Sequence, residues 1–114
     1  MTGEELLGPW LEARLLTVDD ELATRIRSAI PAADLNAPVV QGSEALGIAA
    51  STALRALLAG DCETRASALD LLLVDALVTY ACEAATEGEG DVAARADFVL
   101  HQVASVSQDR SATA

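Results

Sequence analysis

"ALDLLLVDALVTYAC", residues 68–82, is an apolar run broken by two aspartates, Asp70 and Asp75. It is rich in alanine and leucine, holds no glycine or proline, and is too long for an ordinary strand, so it predicts a helix. At ~100° per residue the two aspartates point ~140° apart and cannot face one substrate together. Asp75 shares its side with Thr79 and Glu83, which reads as a solvated stripe. Asp70 is surrounded on the helix by Leu73, Val74, Leu77 and Ala81. A carboxylate in such an arc needs a partner or a proton.

The partner expected for Asp70 comes from the preceding segment. Gly60 and Asp61 leave so short a break that residues 43–59 and 62–86 must form an antiparallel helical hairpin, with Ser43 as one N-cap and Asp61 as the other. Gly60 is the natural residue for a left-handed helix end. Folding the hairpin back sets Asp70 opposite Ser51 and Thr52, with Arg55 a turn away, and predicts a buried polar network of these four residues.

Outward from the hairpin, "TVDDELATRIRSAIP" predicts a helix capped by Thr17, with acids in its first turn and Arg25 and Arg27 toward its end. Val18, Leu22, Ile26 and Ile30 form its apolar stripe, and Pro31 stops it. Before it, Thr2 and Glu5 make a capping-box pattern, and Gly8–Pro9 marks a restart carrying Trp10, Leu11 and Leu15. Residues 32–42 read as a loop, a binding edge or a lid over the core. After the hairpin, Asp91 caps a last helix lined by Val92, Ala96, Val99, Val103 and Val106, and residues 108–114 read as a flexible tail. The fold class is all-α: a compact bundle of four to five helices, in one domain over residues 1–107, with the hairpin at its centre.

The 114 residues are 52% hydrophobic but only 3% aromatic, so the core is built from Leu, Val, Ile and Ala. All seven basic residues are arginine, read as the codon bias of a GC-rich genome. A net charge of -11 argues against nucleic acid and anionic membranes as partners, since both require a basic face, and suits a basic protein. No window reaches the ~20 clean apolar residues of a membrane span, and no secretory signal is seen at the N-terminus, so the expected location is cytoplasmic. Cys62 and Cys82, ~30 Å apart on one helix, cannot bond within the chain.

No catalytic constellation emerges. Asp97 and His101 stand one turn apart, but a metal site needs three or four ligands and there is no second histidine. A Cys82–His101 dyad is offset by more than a turn in an antiparallel packing of the last two helices. Phosphate loops, paired-cysteine metal motifs and a serine elbow are missing from the sequence. The expectation is no enzyme, no cofactor and no metal.

Helix 62–86 is apolar over about two thirds of its circumference, more than a surface helix requires. A second stripe of Leu71, Val74, Val78, Ala81 and Cys82 is therefore a candidate self-association face, giving a homodimer.

The middle of the chain, residues 22–78, resembles the YjaG-like family of uncharacterised bacterial helical proteins (domain of unknown function 416). The likeness lies in "IPAAD", residues 30–34, in the Ala/Leu helix "EALGIAASTALRALLAGD", and in "RASALDLLLVDALV". Family members are longer, and polar residues at the start of their middle helix are apolar here around Ala45 and Gly47. The resemblance implies an all-helical fold and no activity.

The leading functional expectation is thus a small acidic interaction protein that self-associates through helix 62–86. The alternatives are an immunity or antitoxin-like neutraliser of a basic partner, and a small-ligand-binding protein using Asp70.

Overall fold

The structure, a computed structural model, describes residues 5–60, 65–87 and 91–113. Among them are five α-helices, a 3-10 turn and no strand: α1 (Leu7–Leu15), α2 (Asp20–Ala29), the 3-10 turn Ala32–Asn36, α3 (Val39–Ala59), α4 (Arg65–Ala85) and α5 (Val92–Thr113). This is an all-α bundle.

Its spine is α3 packed against α4 and α5. The start of α5 meets the end of α4, where Arg95 Nε donates to the Ala85 carbonyl at 2.8 Å, so those helices run antiparallel. The α3–α5 pair runs parallel. Gly47 lies against Val99, and two turns on Arg55 Nη2 donates to Ser105 Oγ at 3.4 Å. The order is therefore up, down, up. Alanine makes the close approach possible: Ala50, Ala81, Ala84 and Ala85 are buried. The short arm of α1 and α2 lies along α4, and Leu7, Trp10, Leu11, Leu15, Ile26 and Ile30 join Leu46, Leu77 and Val99 in one core.

Several helix starts differ from the sequence expectation, each for a local reason. Asp19, not Thr17, caps α2 by accepting from the Glu21 N–H at 3.1 Å, while the Thr17 hydroxyl turns back to the Arg14 carbonyl at 3.5 Å. α1 begins at Leu7 with Leu6 at its cap, leaving Pro9 within the first turn, where a missing N–H costs nothing. α3 begins at Val39, four residues before Ser43. Ser43 is buried, and its hydroxyl bonds to the Val40 carbonyl at 2.9 Å.

That early start needs no side-chain cap, because the two segments satisfy each other. Val39 N–H donates to the Glu5 carbonyl at 3.0 Å and Leu7 N–H to the Ala37 carbonyl at 2.8 Å. Leu6 and Pro38 thereby form an isolated antiparallel bridge. The loop expected over residues 32–42 is mostly the 3-10 turn and the first turn of α3.

Gly60 is extended (φ -101°, ψ -175°) rather than left-handed. Asp91 caps α5 through the Ala94 N–H at 3.0 Å. The backbone is helical through Thr113, where a tail was expected from residue 108. The expectations for Thr2, Asp61 and Cys62 lie outside the described residues. Among the described residues no helix is long and apolar enough to cross a membrane.

Candidate functional site

The partner of Asp70 is Arg25. Its Nη1 pairs with Asp70 Oδ1 across the α2–α4 seam, and both side chains are about one-third exposed, at 34% and 35%. The four-residue network expected from the hairpin is corrected accordingly. The Ser51 hydroxyl bonds within α3, to the Ile48 carbonyl at 2.8 Å, and Arg55 reaches α5. Thr52 is exposed. α2 packs over the N-terminal half of α4 and supplies a cation to the arc that would otherwise have looked to α3.

The same seating of α2 opens a groove. α2 and α3 both pack on α4 without closing on each other, and between them lies a space of about 480 Å³. Its walls come from Thr24, Arg25, Ser28 and Ala29 of α2, from Pro31 and Asp34, and from α3. Ala45, Ile48, Ala49, Thr52, Ala53 and Ala56 recur on one face of α3 at three- and four-residue spacing, and Leu73 of α4 completes the lining. Ile48 stands 49% exposed, unusual for so large an aliphatic group on the core helix. The surface is an apolar trough with hydroxyls and an ion pair at its edge, within the size range of sites that receive small ligands or side chains.

This groove was not foreseen. Its signal was present in the alanine spacing of α3, but alanine at that spacing also serves ordinary helix packing.

The proposed self-association stripe is divided by the fold. Val74 and Ala81 are buried inside the bundle. Val78 and Cys82 are half-buried, and only Leu71 is well exposed, at 58%. Leu72 on the other margin of α4 and Leu100 on α5 are also exposed, at 51% and 59%. Cys82 is a free thiol.

The arginines whose side chains are described work as fasteners, each between a different pair of places. Arg14 lies 3.6 Å over the Trp10 ring and pairs with Glu83 of α4 at 2.9 Å. Arg27 binds Glu12 of α1 through Nε and Nη2, at 2.7 and 2.9 Å, holding that carboxyl below its usual range. Arg25 joins α2 to α4, Arg55 joins α3 to α5, and Arg95 joins α5 to the end of α4. Beside Arg14, Trp10 and Tyr80 meet edge to face with centroids 6.5 Å apart, and burial pushes the Tyr80 hydroxyl above its ordinary pKa.

His101 Nδ1 sits 3.3 Å from Asp97 Oδ2, with both side chains largely in solvent. Among the described residues no three His, Cys, Asp or Glu side chains converge as metal ligands, and no buried side-chain polar atom lacks a partner.

No family model, curated protein or solved structure matches the chain.

Proposed function

We propose that the protein is a non-enzymatic, cytoplasmic protein–protein interaction module that seats an apolar segment of its partner in the α2–α3 groove. The observation that carries this reading is the groove itself: an alanine-floored trough with Ile48 half exposed on its wall. Water over such a surface is released when a partner covers it. The reading that Asp70 binds a small ligand loses its main support, because that carboxylate is taken up by Arg25. The resemblance to the YjaG-like family belongs to the same proposal and adds no activity to it.

The test is selection of displayed peptides on the wild-type protein, with counter-selection on Thr52→Trp. Thr52 is exposed and lines the groove, so the indole fills it without entering the core. Sequences enriched on the wild type and lost on the variant support the reading. Failure to enrich any sequence sensitive to Thr52→Trp overturns it.

A second reading, self-association, is favoured by the exposure of Leu71, Leu72 and Leu100. It predicts a salt-resistant solution mass of twice 11.7 kDa that returns to the monomer in Leu71→Asp and Leu100→Asp. A monomer at every concentration removes it.

A further inference from the structure

Resting on the groove reading above, we infer that the occupant is a basic amphipathic helix rather than an acidic segment or a second copy of this chain. Every arginine whose side chain is described bonds to another part of the fold, and the one that lines the groove, Arg25, is neutralised by Asp70.

The carboxylates at the groove are differently placed. Asp34 lines it. Glu21 precedes Arg25 by one turn on α2, and Glu44 precedes Ile48 by one turn on α3, so each lies on its helix just beyond a lining residue. None of the three side chains has an ion-pair or hydrogen-bond partner among the described residues. The rim therefore presents negative charge beside an apolar floor, in a chain of net charge -11. A partner with lysine or arginine flanking an apolar stripe complements both features, whereas a second copy brings like charge to the same rim.

The shape selects a helix. The floor from Ala45 to Ala56 is ~17 Å long, or three turns, and its methyl groups let a second helix lie close. A β-strand peptide would need an open strand edge and the described residues contain no strand, while a polyproline II peptide docks on aromatic side chains and none lines this groove.

Fluorescence anisotropy with a panel of labelled synthetic helical peptides tests this. The peptides share a set of apolar faces and differ only in carrying lysine, glutamine or glutamate on the polar face. The full chain is expected to bind the lysine series about tenfold or more tighter than the glutamine series, with the glutamate series weakest and the gap narrowing as salt rises. Thr52→Trp and, separately, Ile48→Asp should abolish binding while leaving circular dichroism unchanged. Asp34→Asn with Glu44→Gln should remove the advantage of lysine and leave glutamine binding alone.

Equal binding of all three series, still lost in Thr52→Trp, overturns the basic partner and leaves the groove reading standing. Binding that survives both blocking variants, or no binding by any series, overturns both. A dimer dispersed by Thr52→Trp assigns the groove to a second copy and likewise overturns the basic partner.

Discussion

The backbone of Gly42 passes so close to Leu7 that a methyl group on the glycine would stand 2.7 Å from Cδ1, 2.9 Å from Cδ2 and 3.1 Å from Cγ. Leu7 is fully buried, so turning its methyl groups does not clear all three contacts. Gly42→Ala is expected to lose about 1–2 kcal/mol, the overpacking outweighing the better helix propensity of alanine. Gly47 is the control: a methyl there meets Val99 at an ordinary 3.5 Å, and Gly47→Ala should be neutral or stabilising. Urea unfolding of the two variants side by side reads the contrast.

Val74 and Leu71 lie on one arc of α4 but in different surroundings. Val74→Asp should unfold the protein or cost about 3 kcal/mol or more, since it buries an unpaired carboxylate. Leu71→Asp should stay within about 0.5 kcal/mol of wild type. A comparable loss in both variants would show that Leu71 is covered in solution.

The Arg25–Asp70 pair is wet, and its coupling should be small. A double-mutant cycle with Arg25→Gln and Asp70→Asn is expected to give about 0.2–1 kcal/mol, decreasing in high salt. A coupling several times larger would mean that the pair is more enclosed than its exposure indicates.

Tyr80 is the one tyrosine in the chain, so tyrosinate absorbance follows it without overlap. Burial raises its folded-state pKa above the ordinary 10.0. The folded protein keeps that proton while the unfolded chain loses it. The contribution is therefore complete below pH 10.0 and is lost as pH rises through the folded value. Titration at or below the ordinary value would contradict the packing against Trp10. Tyr80→Phe should flatten the alkaline stability slope.

Helical periodicity made α2, α4 and α5 legible, because Leu22, Ile26 and Ile30, or Val99 and Val106, repeat at the spacing that a buried face imposes. It could not identify the partner of Asp70. A helical wheel gives an angle, whereas the choice between Arg25 and Arg55 depends on which helix packs over that angle. The start of α3 was obscured for a similar reason. Its first amide is satisfied by the Glu5 carbonyl, a contact 34 residues away in sequence that no local pattern announces. The small-residue floor of the groove and the small-residue contacts of the core share one composition, so only the seating of α2 distinguishes them.

The bridge between Leu6 and Pro38 makes the chain enter and leave its first third through a single doorway. Everything between those residues is an excursion whose two ends are already joined, fastened to α4 by Arg14 and Arg25. Lifting the arm from the three long helices would unthread none of them, but it would bare the core that Leu7, Trp10, Leu11, Leu15 and Ile26 share with Leu46, Leu77 and Val99. The stability of the arm and that of the bundle are thus coupled through one core, and the difference between them measures how tightly. Amide exchange in α1 and α2 should report the first while α3 reports the second.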